Sequence, residues 1–266
     1  MEEKDVLIAR VKELAYRSSS KGFLTHTDFL SLSEQNYFFS FLMESHIDSK
    51  KSTYLDSKFV LFGGHEESDR KMIFFLPFYL KEQEELLNEE YSNVISCLHI
   101  YPKNEKFADI LNHRDYLGAL MRLGYERNQF GDILTDGTNG YLFLSKQIST
   151  FVKEELGKIK HTVVDIEEID IDKCPFKQNF KEQIIHISSE RIDCIIAEVF
   201  NLSRRDSQEL ISKECVFVNG ITIKNNSHNL KENDRVSIKG YGKFIYLSNP
   251  KETRRGRLVS KAKIYC

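Results

Sequence analysis

The stretch Ile187-Ser-Ser-Glu-Arg-Ile-Asp-Cys-Ile-Ile-Ala-Glu-Val-Phe200-Asn-Leu-Ser-Arg-Arg-Asp206 decides the fold of the last third of the chain. Ile192, Ile195, Ile196 and Val199 recur at three- and four-residue spacing, which puts them on one helical face and leaves Arg191, Asp193 and Glu198 toward water or a partner. The spacing predicts a helix over Ser189 to Phe200, with Ser188 as N-cap and Ile187 and Ile192 as a hydrophobic staple. Asn201-Leu202 breaks the run. A second helix start follows in Ser203-Arg204-Arg205-Asp206, where Ser203 can cap and Asp206 sits three residues on, as in a capping box.

Arg204 and Arg205 fall in the first turn of that helix, where the exposed N–H groups already make the end positive. An anion such as phosphate supplies a reason for the pair, since helix-end N–H groups and guanidinium forks suit its oxygens. The alternative is two solvated arginines, at a cost of about a few tenths of a kcal/mol.

Downstream the apolar period changes to two. Val216-Phe217-Val218, Asn219-Gly220, Ile221-Thr222-Ile223 reads as a β-hairpin, because Asn-Gly accepts the positive φ angles of a type I′ turn. Asp234 to Phe244 reads as one alternating strand with a basic, glycine-permissive end carrying Lys239, Tyr241 and Lys243.

The blocks Ser-Ser-Glu-Arg-Ile-Asp, Leu-Ser-Arg-Arg, Val-Phe-Val-Asn-Gly and Asp-Arg-Val-Ser-Ile-Lys-Gly-Tyr-Gly-Lys-Phe together resemble an S-four domain, the α-L RNA-binding module. The resemblance implies that two helices and the adjoining loop present cations to structured RNA. It makes Ser189, Arg191, Ser203, Arg204, Arg205, Lys213, Asn219, Lys239, Tyr241 and Lys243 candidate RNA contacts. Thr253-Arg254-Arg255-Gly256-Arg257 adds a basic turn, and beside such a module Arg254, Arg255 and Arg257 become candidates for phosphate contact.

The 266 residues suffice for two or three small domains. Their formal charge of -2 conceals an asymmetry: residues 181 to 266 carry 16 Lys+Arg against 10 Asp+Glu, and residues 1 to 180 carry 22 against 30. A nucleic-acid-facing domain on a mildly acidic body is the expectation. The five cysteines, Cys97, Cys174, Cys194, Cys215 and Cys266, are scattered without a Cys-x-x-Cys pair, and read as reduced cytosolic thiols. Neither a secretory start nor a spanning apolar run is present, so a cytoplasmic protein without a membrane span is expected.

Toward the N-terminus, Leu7, Ile8, Val11, Leu14 and Ala15 share a helical face, and Thr27-Asp28 can open a helix running through Asn36 to Met43. Ser57 to Phe62 and Met72 to Phe75 read as strands around a Gly-rich connection. His65, Glu66, Glu67 and Asp69 in that connection are read as solvated, because no second histidine is spaced to share a metal.

From Asn93 the elements read β, α, β, β, α, β: Val94 to Tyr101, Asp109 to Leu123, Phe130 to Leu134, Tyr141 to Leu144, Lys146 to Gly157 and Thr162 to Ile166. That order predicts a ferredoxin-like fold, shared by RNA-recognition motifs. Tyr141 and Phe143 have the same parity and could serve one exposed face, although core packing is the commoner use. The fold class is therefore α+β. A small N-terminal α/β domain (1–88), a central ferredoxin-like domain (89–170), a linker (171–182) and an S-four domain (183–266) are expected.

The stretch Leu111-Asn-His-Arg-Asp-Tyr-Leu-Gly-Ala-Leu120, with Gly131-Asp132-Ile133, joined to an S-four domain, is similar to the YlmH-type proteins of Gram-positive bacteria and their relatives. That family is associated with the large ribosomal subunit, with ribosome-associated quality control and with cell division. The resemblance implies rRNA and the large ribosomal subunit as partners, with tRNA as a further candidate; a monomer is expected. It makes His113, Arg114, Tyr116, Arg122 and Arg127 a candidate second RNA or ribosome surface. On the residues alone, His113 and Arg114 could equally be a hydrogen-bonding pair at a helix start.

Catalytic signatures are wanting. His113-Arg114-Asp115 has Leu120 where a kinase catalytic loop needs asparagine for magnesium, and no Gly-rich phosphate or cofactor loop accompanies it. Arg191-Ile192-Asp193 is the only near match to a pseudouridine-synthase motif and lies within the S-four helix. A non-catalytic binder with no cofactor and no metal is expected. The alternatives are an rRNA-modifying enzyme using His113, Asp115 and Asp132, or a cell-division adaptor.

Overall fold

The computed structural model describes residues 3–45, 53–54, 57–80, 84–175, 179–247, 251–252 and 258–265. The chain divides into two compact units, Met1–Phe176 and Lys177–Cys266. The boundary expected between residues 88 and 89 falls inside the first unit. The stretch 171–182, read as a connection, includes a 3-10 turn at Ile171–Lys173 and the first residues of a strand.

In the first unit, α1 (Glu3–Lys21), β1 (Thr25–His26), α2 (Leu32–Glu44), β2 (Thr53–Tyr54), β3 (Ser57–Phe62) and β4 (Met72–Leu76) come first. They are followed by α3 (Glu84–Val94), β5 (Ile95–Pro102), α4 (His113–Met121), β6 (Phe130–Thr135), β7 (Gly140–Ser145), α5 (Lys146–Glu155), β8 (Lys158–Ile159) and β9 (Thr162–Ile169). The start expected for α2 at Thr27-Asp28 lies at Ser31 instead. There Ser31 and Glu34 form a reciprocal capping box, while Thr27 bonds across to Ile73 of β4.

Two antiparallel sheets result, ordered β1-β4-β3-β2 and β6-β7-β5-β9-β8. The second contains the ferredoxin-like order: the first βαβ strand, β5, lies between β7 and β9, and α4 and α5 lie on one face. Alternation along the strands shows how the layers stack. In β4, Ile73 and Phe75 pack with α1 and α2, whereas Met72, Phe74 and Leu76 share a core with Cys97, Tyr141 and Phe143 of the second sheet. In β7, Leu142 and Leu144 turn the other way, onto Ile148 and Val152 of α5. Strands buried on both faces read as continuous apolar runs, which is why Met-Ile-Phe-Phe-Leu and Tyr-Leu-Phe-Leu do not alternate with polar residues. Full burial of each phenylalanine in the shared core stabilises the unit by about 1.5–3 kcal/mol before entropy is counted.

The second unit holds β10 (Phe180–Ile187), α6 (Ile192–Val199), α7 (Arg204–Ser212), β11 (Val216–Val218), β12 (Ile221–Thr222), β13 (Arg235–Ile238), β14 (Gly242–Tyr246), β15 (Lys251–Glu252) and β16 (Leu258–Tyr265). The sheet order is β10-β16-β14-β13-β11-β12, with β15 beside β16. The hairpin at Asn219-Gly220 forms as expected, with φ of 50° and 80° and Val218 paired to Ile221.

Two expectations are corrected here. Helix α6 begins at Ile192, not Ser189, and Ser188 is not its cap. Ile187 completes β10 by pairing with Leu258, and Arg191 takes the cap position in extended geometry without a side-chain cap bond. The Ile192 N–H is satisfied instead by the His228 carbonyl at 2.8 Å. The single strand expected over Asp234 to Phe244 is a hairpin: Ile238 faces Gly242, and positive φ at Gly240 lets Lys239-Gly240-Tyr241 turn between β13 and β14.

Candidate nucleic-acid interface

Ile192, Ile195, Ile196 and Val199 of α6 and Ile211 of α7 enter the core of the second unit, so the helix pair is held on the sheet by its apolar face. Asp193, expected to point outward, is 0 % exposed. The reason is its neighbours: Arg191 Nε and Nη2 donate to its two carboxylate oxygens at 3.1 and 3.0 Å, and Gln208 Nε2 donates at 2.8 Å. Arg204 Nε adds a longer contact at 3.5 Å. Burial works to raise the Asp193 pKa, but the hydrogen bonds from Gln208, Arg191 and Cys194 outweigh it and hold the carboxyl below its ordinary range.

The start of α7 carries the capping box read from the sequence: Ser203 Oγ accepts from the Asp206 N–H at 3.1 Å, and the Ser203 N–H donates to Asp206 at 3.3 Å. The first-turn arginines thus have separate settings. Arg204 leans on Asp193, with 53 % of its side chain exposed, and Arg205 is exposed beside it.

Lys213 caps the other end of α7 and pairs with Glu209 at 2.6 Å. The β13–β14 hairpin tip is tied to the same end, the Lys239 N–H donating to the Cys215 carbonyl at 3.0 Å. There Tyr241 is 47 % exposed and packs edge-on against Phe200 at 5.9 Å. Lys239 sits over Phe217 at 5.3 Å and Lys243 over Tyr265 at 5.8 Å. Arg204 and Lys213 mark the two ends of α7, whose nine residues span about 13 Å along the helix axis.

Ser189 and Asn219 are engaged internally. The Ser189 hydroxyl lies 3.4 Å from Cys194 Sγ. The Asn219 amide donates to Asp234 at 2.8 Å and accepts from the Arg235 N–H at 2.9 Å, pinning the hairpin turn. Arg254, Arg255 and Arg257 lie outside the described residues.

On the first unit, His113 and Arg114 are exposed at the start of α4, which is capped by Asn112 and Asp115 in a reciprocal box. Asp115 is held below the ordinary carboxylate range by its backbone hydrogen bond to Asn112 and by Lys160 at 2.8 Å. Arg122 is exposed and folds back on the Gly118 carbonyl at 3.1 Å. Tyr116 does not belong to that surface: it is 1 % exposed, in the core with Leu98 and Leu142. A Cβ on Gly140 would lie 2.4 Å from its ring. Arg127 is also turned inward, donating to the carbonyls of Phe130 and Gly131. Burial, with Arg70 nearby, lowers its pKa to about 10.

The aromatic row of β7 is likewise withdrawn. Phe143 and Tyr141 are buried in the core shared with the first sheet, and His99, beside exposed Glu167, stacks on Tyr141 at 4.8 Å. No local pattern signals the internal cluster that joins the sheets. Asp132 of β6 accepts from His65 Nε2 at 3.2 Å and from the Asp69 and Arg70 N–H groups at 2.7 and 3.1 Å. Asp115 and Asp132, assigned to catalysis in the enzyme alternative, are thus both engaged in structural hydrogen bonds. Among the described residues no group of three or more His, Cys, Asp or Glu side chains could hold a metal ion, and no helix is long and apolar enough to cross a membrane.

A helix pair held on a sheet, with cations at both ends of the second helix, is the architecture of an S4 domain, here preceded in the chain by a ferredoxin-like sheet. Residues 190–236 match the S4 domain, and residues 88–173 match the putative RNA-binding domain in YlmH. The ribosome-associated protein quality control protein P2 of Bacillus subtilis (strain 168) is 30 % identical over 182 residues, covering 68 % of each chain. The chain belongs to the YlmH family. A solved structure, the cell division protein ylmH from Streptococcus pneumoniae, aligns with a TM-score of 0.46 at 19 % identity, over 65 % of this chain and 95 % of that one.

Proposed function

We propose that this protein is a non-catalytic RNA-binding factor that associates with the ribosome, binds rRNA of the large subunit and acts in ribosome-associated quality control, with tRNA as a further contact. The observation that carries the RNA-binding reading is the exposed placement of Arg204 and Arg205 on the capped first turn of α7, with Arg191 beside them. Guanidinium groups near helix-end N–H groups suit backbone phosphates, and the net positive charge of residues 181 to 266 favours a polyanion. Lys213, Lys239 and Lys243 extend the cationic surface, and Tyr241 is available to stack on a base. The relative in Bacillus subtilis supports the ribosomal assignment.

The first unit supplies a second contact through His113, Arg114 and Arg122. Two modest contacts on one chain raise the overall affinity by about 10²- to 10⁴-fold if the connection spans both sites. Co-sedimentation with separated large and small ribosomal subunits across a salt series tests the proposal. Selective, salt-sensitive binding to the large subunit is expected; equal binding to both subunits, or to neither, would overturn it.

A further inference from the structure

Arg191 precedes α6 and Arg204 opens α7, yet both guanidiniums meet one carboxylate, that of Asp193. The carboxylate is fully buried and also receives Gln208 Nε2 at 2.8 Å and Cys194 Sγ at 3.5 Å, while Ser207 Oγ donates to the Asp193 backbone carbonyl at 2.8 Å. Helix packing alone does not call for such a group, since apolar residues of similar volume often replace a buried ion pair without loss of stability. Both arginines, by contrast, reach the surface, with 36 % and 53 % of their side chains exposed.

We propose that Asp193 is a positioning residue that sets Arg191 and Arg204 as one preorganised clamp for the phosphate backbone of structured RNA. The inference rests on the RNA-binding reading above and deepens it. Asp193 occupies Nε and Nη2 of Arg191 and Nε of Arg204, leaving Nη1 of Arg191 and both terminal nitrogens of Arg204 for phosphate oxygens. Holding the guanidiniums before RNA arrives removes part of the ordering cost of binding. The carboxylate also reduces the trio to a single net positive charge. Asp193 therefore favours an RNA whose phosphates match the clamp, and weakens undirected attraction to any polyanion.

The test uses the full-length protein with two probes, folded rRNA extracted from large subunits and single-stranded poly(U), with affinities measured at one fixed salt concentration. D193N keeps the size of the side chain and removes its charge. R191K keeps the surface charge and removes the two-pronged donor. Each variant is expected to lose about tenfold in affinity for the folded rRNA, the scale of one well-placed charged contact. Binding to poly(U) is expected to be unchanged for R191K, and unchanged or tighter for D193N.

A merely structural role would lower both affinities together, in proportion to the unfolded fraction. Should D193N not fold, R191K alone decides, because lysine keeps a cation beside the buried Asp193 carboxylate. A folded variant that keeps the wild-type ratio of rRNA to poly(U) affinity overturns the clamp, as does a wild-type protein with no preference between the probes. A wild-type protein that prefers folded rRNA but ignores intact large subunits overturns the ribosomal reading and leaves the clamp to be judged on the ratio.

Discussion

Asp132 accepts the backbone N–H of Asp69 at 2.7 Å, and so fastens the connection between β3 and β4 to β6 of the other sheet. The same carboxylate takes the Arg70 N–H at 3.1 Å and His65 Nε2 at 3.2 Å, and Arg70 in turn donates to the carbonyls of Phe29 and Phe130. Asp132→Ala would leave two partly buried N–H groups without their acceptor. A loss of about 2–4 kcal/mol is expected, the scale of breaking charge-assisted bonds at a partly buried site. Urea denaturation of the full chain measures it; a change under about 0.5 kcal/mol, typical of surface substitutions, would mean that the fastening adds nothing.

Gly140 and Tyr116 pack closely in the central core. A Cβ at residue 140 would lie 2.4 Å from Cε1 and 2.8 Å from Oη of Tyr116. Gly140→Ala is expected to destabilise by about 1–3 kcal/mol through overpacking. Tyr116→Leu opens space at the same place, so the two substitutions together should cost less than the sum of each alone. A double-mutant cycle read by thermal or urea unfolding gives the coupling, and strict additivity would contradict the close packing of the pair.

The residues legible in the sequence are those governed by local rules. The capping box at Ser203 and Asp206, the Asn219-Gly220 turn and the β-α-β-β-α-β order each depend on neighbours a few positions apart. Asp193 is not legible, because its polar character suggests solvent and its partners Arg204 and Gln208 come from another helix. Ser188 departs from expectation for a similar reason. Its preceding residue, Ile187, belongs to a strand whose partner, Leu258, is remote in sequence, and that pairing moves the helix start to Ile192. Tyr116 follows exposed His113 and Arg114 by only two or three positions, yet its ring turns into the core, where it meets Leu98 and Leu142, a contact set by the sheet and not by its neighbours in sequence.

Replacing Arg204 and Arg205 together by alanine tests the cationic end of α7 without touching its cap. For every phosphate that the variant no longer neutralises, the slope of log affinity against log salt should flatten by about 0.7–1, and RNA affinity should fall. Folding should hold, since both side chains are largely exposed and the Ser203–Asp206 box remains. Filter binding across a salt series reads both quantities. An unchanged slope would return the two arginines to the solvated surface.

The depressed pKa of Asp193 makes a signed prediction about acid stability. Its carboxyl is held below the unfolded value, which lies near about 3.9 for aspartate. The charged form is therefore favoured by folding, and the stability it contributes is fully present above the unfolded pKa. That contribution disappears as pH falls through the lower folded value. Asp193→Asn lacks the titrating group, while every other acid is common to both proteins and cancels in the difference. The stability gap between wild type and Asp193→Asn should thus be constant from about pH 5 to 7 and narrow progressively below about pH 4. Urea titrations of both proteins at about pH 7, 5, 4 and 3 measure the gap, with settings chosen around the aspartate range. A gap that stays constant through that range would assign the effect to packing around Gln208 and Ser207, and would remove the negative charge as the feature that holds Arg191 and Arg204 in place.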